Sequence, residues 1–568
     1  MSDRAGKPVL EYIHSREAHP IDLAPQTVSS SGEPPDASYR RGLEHENLDD
    51  RLGARECYRQ ALSLSHEHAP AHFRLGLLLL RAADFGGSRN HFEHAARLGL
   101  AGARYYLGLL SMYAGDPQSA GSHFASVPMA DSLWGAVQRG LGCLAMQAGR
   151  WNEAASFFRE AGSEEPQSLH SSLLSAMAFR RAGSAEAARE ALQRVLSDDP
   201  LNLPALREAG LLQPVAGGPE AETLARFLAD DRQCHLDLAC FYLDSGLPEE
   251  ALVVLREASQ VWHDPMCCYL AAFISATLGD DHAARSWTSM AEQSGPEFVF
   301  PSRLWEIIAL VNHIDAGHPH SKAKYYLGTF YFAHERFEEA RDLWEDARKE
   351  LGGFDVILRN LAQYELQMKG SPRLAIELCE EALALNPRNQ DLYLDLDGLY
   401  RQQNLPKKRI ELLAAMRKLS PIREDVRKRV LSMMVELGMH EEALRVLATE
   451  KFVPLEMDQS FHRVYVKALM SRAEAHLEAD RLEDAARDYA LALDFPENHG
   501  VGRPTTSSSA EVLYRVGCVY EKLGRFGEAI GAWQAAGSEH HPSGDDLYRY
   551  VQHSLDKLGR YSELGFEV

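Results

Sequence analysis

The chain is poor in the residues that would build a metal knuckle, a disulfide framework or a nucleic-acid surface. It has 8 cysteines in 568 residues, with one adjacent pair, Cys267 and Cys268, and no CxxC spacing. That pattern excludes a disulfide scaffold and a zinc knuckle, and leaves the thiols as reduced core residues. Basic charge is scarce as well: 60 Lys and Arg stand against 82 Asp and Glu, a net charge of −22. No basic run is longer than Lys407-Lys408-Arg409, so a phosphate backbone would be repelled and nucleic acid is excluded as a partner. The longest apolar stretch, around Leu75 to Leu80, falls far short of the ~18 residues of a membrane span. The opening MSDRAGKPVLEYIHSREAHP has no apolar centre like that of a secretory signal and carries Asp3 and Glu11, which points to a cytoplasmic chain. A nucleophile elbow, a Walker loop and an HExxH are all missing, so no catalytic residue, metal or cofactor is expected and the chain reads as a non-enzyme.

What the chain does have is a beat of ~34 residues. A small residue, often in a Leu-Gly pair, is followed twelve positions later by alanine and sixteen positions later by an aromatic or leucine. Leu107-Gly108 with Ala120 and Phe124, Leu141-Gly142 with Ala154 and Phe158, and Leu327-Gly328 with Ala340 and Trp344 carry the pattern. Its phase returns at Ala176, Ala239, Ala271 and Ala362, and again at Gly517 with Ala529 and Trp533. Small residues let two helices approach closely and the aromatic fills the gap that remains. One such pair cannot bury its apolar face alone, so each leans on its neighbours and the ends need caps.

At these positions the chain resembles the tetratricopeptide repeat family, from about Ser38 to about Gly537. The resemblance implies an all-α helix-turn-helix solenoid, a superhelix of about 13–14 repeats. One repeat, between 201 and 231, is degenerate, with Pro204, Pro214 and Gly217-Gly218-Pro219 crowding two short apolar stretches. A capping helix is expected from Asp545 to Leu558, with Leu547, Tyr550, Val551, Leu555 and Leu558 on one stripe.

The expected segments are an extended linker or remnant of an upstream β-domain at 1–35 and an N-terminal array at 36–295. An inserted helix and loop follow at 296–320, then a C-terminal array at 321–544 with long loops near 451–461 and 495–509, and a capping helix and tail at 545–568. Ala271 and Gly328 hold equivalent places yet lie fifty-seven positions apart, and the surplus predicts a helix from Ser302 to His313 with Ser302 as N-cap behind Pro301. The interruptions FVFPSR, KFVPLEMDQ and FPENHGVGRP, with the N-terminal VLEYIHS, are similar to the C-terminal half of large bacterial proteins. In those proteins a β-rich domain of unknown function, resembling sugar-mutarotase folds, precedes a tetratricopeptide array. Only GKPVLEYI here resembles the last strand of that β-domain. Any carbohydrate role implied by the resemblance would therefore need a β-domain supplied by another chain.

The inner face of such an array is lined by first-helix side chains. At the fifth position of their repeats stand Tyr39, Phe73, Tyr105, Tyr325 and Tyr514, and at the twelfth Phe332. Aromatic anchors in a groove suit an extended or helical partner segment, and aromatics at helical spacing also serve as packing between helices; both readings stand open here. Only Asn360, beside Arg359, matches one element of the family's carboxylate clamp, so docking of a chaperone tail is not expected. Tyr325, Phe332, Arg359 and Asn360 are expected to share one concave surface. His313, Asp315, His318 and His320 fall at a turn marked by Gly317 and Pro319 and are not expected to hold a metal. FPENHGVGRPTTSSS lacks the preceding strand and the lysine step of a phosphate cradle. Ser507 to Ser509 read instead as N-cap candidates for the helix that holds Tyr514. The expected function is a protein–protein interaction scaffold holding a protein or peptide segment. The alternative is an accessory or oligomerising subunit of a carbohydrate-processing protein, working with a mutarotase-like β-domain.

Overall fold

The computed structural model describes residues 35–165, 168–212, 218–295, 299–317, 322–352, 354–453, 458–500, 502, 509–539 and 546–567. The expected β-domain remnant, His318, His320 and Ser507 lie outside these residues. Among the described residues all regular structure is helical, with no strand. The 30 helices are fourteen antiparallel pairs, one unpaired helix at Leu304–Asp315 and a last helix at Tyr548–Glu563. Each pair is one repeat, and the chain is an all-α helical-repeat solenoid.

The small residue and the aromatic sixteen positions later meet as their chemistry requires. A Cβ on Gly142 would come within 2.3 Å of Phe158, and one on Gly328 within 2.6 Å of the Trp344 indole nitrogen. Both rings are buried, so the glycine makes the space in which the ring sits. Where the small residue is Ala271, Trp287 is half-exposed. Losing a ring of the Trp344 or Trp533 kind would cost ~3–5 kcal/mol. Helix starts follow local chemistry: Asp84, Asp116 and Asp280 each accept a first-turn N–H, and Pro117, Pro248 and Pro372 occupy positions where a missing N–H costs nothing.

The chain divides into two compact units, Met1–Gly352 and Gly353–Val568. In the first, the degenerate repeat is two short helices, Leu203–Leu211 and Pro219–Asp230, around Leu203, Leu206 and Leu224. Its fully buried Glu208 replaces apolar mortar: it takes hydrogen bonds from Arg180 at 2.6 and 3.1 Å and from the Tyr242 hydroxyl at 2.8 Å. The inserted helix begins at Leu304, two residues later than the sequence predicts. The reason is Glu306, whose carboxylate reaches back to accept the N–H groups of both Ser302 and Arg303 at 2.8 Å, making Arg303 the N-cap.

In the second unit the interruptions fold onto one another. Phe452 of the first packs on Phe461 at 4.4 Å, and Phe495 of the second stacks on His462 at 3.9 Å. Asn498 donates to the carbonyls of Leu447 and Glu450 at 2.8 and 2.7 Å, satisfying the end of helix His440–Thr449. Buried His499 joins it at the Leu447 carbonyl, 3.0 Å away. The helix with Tyr514 starts at Ala510, but Ser509 caps it with no side-chain bond. Glu539 of the next helix end takes the N–H groups of Ser509 and Ala510 at 2.9 to 3.0 Å instead, so tertiary structure supplies the cap. The closing helix runs Tyr548–Glu563, starting three residues and ending five residues later than expected, because Tyr561 also enters the stripe and packs on Trp533 at 5.5 Å. Leu555 keeps 46% of its surface exposed.

Candidate functional site

The fifth-position aromatics fall into two groups. Phe73, Tyr105 and Tyr325 are buried, which corrects the expectation that they face a partner. Phe73 lies against Phe92 and Tyr106 at 5.8 and 5.4 Å, Tyr105 against Phe124 at 5.8 Å, and Tyr325 against Tyr326 at 5.1 Å. Phe73 and Tyr105 each lie between their own second helix and the next repeat, the seam through which neighbouring repeats support one another. Tyr39 and Tyr514 are half-buried, in the first and last described helix pairs, and Tyr514 lies against the closing helix. Tyr39 rests on Tyr58 and His68, and Tyr514 on Tyr550 and His553. Phe332 is half-buried against Phe337 and Trp344.

In the first unit the first-helix face is taken up by the chain itself. Arg303, at the mouth of the inserted helix, is 6% exposed. It donates to Asp237 at 2.6 Å and to the Gln233 side chain at 2.9 Å, both on first helix Arg232–Asp244. Trp305 donates its indole N–H to Asp244 at 2.7 Å and sets its ring 5.0 Å from Tyr113 and 6.2 Å from Phe273. The space left beside Trp305 is a cavity of about 40 Å³ that reaches Tyr105, Met112, Cys143 and His170. That is room for a few waters at most. Burial pushes the Cys143 thiol up to about 12 and the His170 imidazole down to about 3, so neither is charged near neutrality.

A second contact ties the same unit together. The Glu335 carboxylate pairs with Arg55 of the first repeat, and Arg336 donates to the Ala82 carbonyl at 3.0 Å while lying 3.7 Å over the Tyr331 ring. Glu335 and Ala83 hold left-handed backbone at φ 65° and 54°, where other repeats use glycine such as Gly149 or Gly183. Residues with a Cβ pay roughly 1–2 kcal/mol for that conformation.

In the second unit the first-helix face carries paired charges. Arg359 bonds Asp395 at 2.6 Å and approaches Asp391 at 3.7 Å, and Asp391 in turn meets Arg423 at 2.8 Å. All four side chains keep roughly a third to a half of their surface in solvent. Asn360, beside Arg359, is half-buried. Deeper in, buried Asp397 holds Arg409 at 2.7 Å and pairs with Arg429, and Glu436 closes the network on both arginines. Arg359 and Asn360 belong to this unit, and Tyr325 and Phe332 to the other.

Sequence reading missed Arg303, Trp305, Asp237 and Asp244, the residues that fill the first unit. A readable sign was present: SRLW, at the entrance of an inserted helix, sets a cation two residues from an indole. Its partners are some sixty to seventy positions away, and no local pattern points to them.

Models of the tetratricopeptide repeat family match residues 145–209, 35–68 and 510–531. The chain carries tetratricopeptide repeats. Solved structures similar to it include the MamA protein, 16% identical, covering 33% of this chain and 100% of that one with a TM-score of 0.27. YrrB, described as a TPR protein with an unusual peptide-binding site, is 17% identical and covers 36% of this chain and 99% of that one, with a TM-score of 0.27. A tetratricopeptide repeat protein from Parabacteroides merdae is 12% identical and covers 50% of this chain and 100% of that one, with a TM-score of 0.30. No helix among the described residues is long and apolar enough to cross a membrane.

Proposed function

We propose that this chain is a protein-interaction scaffold that holds a partner segment on the first-helix face of its C-terminal unit. Tetratricopeptide repeat proteins bind peptide or protein partners in general. The observation that carries the finer reading is the half-exposed ladder Arg359, Asp391, Asp395 and Arg423, with Asn360 beside it. Each pair is satisfied internally, yet each keeps enough solvent-facing surface to exchange one hydrogen bond for a partner's. Arg359 offers a planar fork that reads carboxylates or main-chain carbonyls, and Asn360 offers both a donor and an acceptor. Tyr514, half-buried near the capping helix, adds an aromatic with a polar tip. The reading assigns no catalysis to the chain; binding and orientation are its work.

The test is co-purification from source-cell extract with wild-type chain and with Arg359→Ala/Asn360→Ala. Partners that carry a common charged segment and drop out with the double variant support the reading. Partners retained by that variant but lost with Trp305→Ala would sink it. Recovery of a mutarotase-like subunit alone, with sugar turnover by the pair, would replace it with the accessory-subunit reading.

A further inference from the structure

Repeats in this chain place a large aliphatic immediately before the small residue of the first helix: Leu75, Leu107, Leu141, Leu327, Leu361 and Val516. All of these but Leu141 are buried. A few repeats depart from this, with Arg41 before Gly42 and Arg472 before Ala473, and one puts a small hydroxyl there. Before Ala176 stands Ser175, and the helix Leu169–Arg181 carries Ser168, Ser171, Ser172 and Ser175 at the spacing of a single helical face. The missing leucine leaves a groove of about 550 Å³ between this helix and the second helices on either side, Trp151–Glu164 and Ala185–Asp198.

The groove's chemistry is that of an anion site. Several helical serines of this chain turn their hydroxyls back to the carbonyl four residues earlier, as Ser111, Ser432 and Ser554 do, although buried Ser275 does not. Nor does Ser171. It is 1% exposed, lines the groove, and its Oγ has no hydrogen-bond partner. A buried hydroxyl without a partner costs roughly 1–3 kcal/mol, a cost that a ligand acceptor would remove. Ser168 is the N-cap of the same helix, makes no side-chain bond to its first turn, and lines the groove. Arg159 and Arg194 reach it from the two flanking helices. The one carboxylate of the lining, Glu190, is exposed at the rim, where water screens it.

We propose that this groove binds a phosphate monoester group, with Ser171 and Ser175 donating to its oxygens, the first-turn N–H groups of helix Leu169–Arg181 beneath it, and Arg159 and Arg194 closing on its charge. The group could arrive on a phosphorylated side chain or on a small phosphate ester, and both present the same oxygens.

The experiment is isothermal titration of the full chain with inorganic phosphate, O-phospho-L-serine and, as a neutral control, glycerol. Phosphate and phosphoserine bind and glycerol does not. A clear preference for phosphoserine marks the phosphorylated side chain as the natural source, and equal affinities mark a small ester. Arg159→Ala/Arg194→Ala weakens binding about tenfold or more, the effect of losing charge-assisted hydrogen bonds. Ser175→Leu restores the aliphatic that other repeats carry, so it abolishes binding while raising the thermal midpoint. That pairing separates a filled site from a misfolded one. Wild-type affinity weaker than ~10 mM, binding of glycerol as tight as phosphate, or unchanged affinity in a folded Ser175→Leu variant overturns the proposal.

Discussion

The two units use one repeat to opposite ends. In the first, the inserted helix sets Arg303 and Trp305 against first helix Arg232–Asp244, and the face that an array offers to partners becomes interior. In the second, the interruptions around Phe452 and Phe495 pack on one another and cap helix His440–Thr449, and the ladder Arg359, Asp391 and Arg423 stays half-exposed. The difference is one of placement. An insertion that fills a face turns a groove into a core, whereas one that braces a helix end leaves the face accessible.

The largest effect expected is in the first unit. Arg303→Ala leaves Asp237 and Glu306 without their cation in a buried setting, a loss of ~3–5 kcal/mol. Hydrogen exchange on the full chain should show protection lost in 232–244 and 304–315, with the second unit unchanged. Equal loss in both units would break the contrast.

Acid should separate the units next. In the first, His72, His91, His123, His170, His235 and His334 are all held below the ordinary imidazole value of 6.5, chiefly by burial. His91 falls to about 4, with His72 as the second cause; the two Nδ1 atoms are 2.8 Å apart. In the second unit only His440 and His499 are lowered among the described residues. A depressed imidazole takes its proton more readily in the unfolded chain. Stability is therefore full above the unfolded value of 6.5 and is lost as pH falls toward the folded values near 4 and 3. The half-buried His91 ring alone contributes ~2 kcal/mol once solvent screening is allowed for. Regional exchange measured from neutral pH to pH ~4 should show the first unit opening before the second.

A smaller effect is expected from Glu335→Gly. Glycine relieves the left-handed backbone at φ 65°, while Arg55 loses its carboxylate. The two changes nearly offset, and a net loss of ~1 kcal/mol is expected in chemical denaturation. A gain in stability would mean that the Arg55 contact is incidental. The smallest effect is Arg359→Ala, an exposed pair whose removal costs at most ~1 kcal/mol. It should weaken partner capture without moving the melting curve. A large thermal shift would recast the ladder as a structural device.

Much of the fold was legible because its cause is local. A glycine and a ring sixteen positions apart must meet once two helices pair, so Gly142 with Phe158 and Gly328 with Trp344 mark repeats whatever surrounds them. The start of the inserted helix was displaced because Glu306 reaches back to Ser302 and Arg303. The cap of the helix at Ala510 comes from Glu539, thirty positions on, and no N-cap pattern encodes that.

The candidate site was less legible. Aromatics at a fifth position obey the same periodicity whether they face a seam or a partner, and Phe73, Tyr105 and Tyr325 are buried. By itself the sequence determined the repeat, its helical character and the small-to-aromatic contact inside each pair, since these depend on spacings shorter than one repeat. Tertiary structure alone decided which first-helix face is filled and which stays open. That outcome depends on Arg303 finding Asp237, and on Asn498 finding the Leu447 carbonyl, across distances in the chain that no local periodicity records.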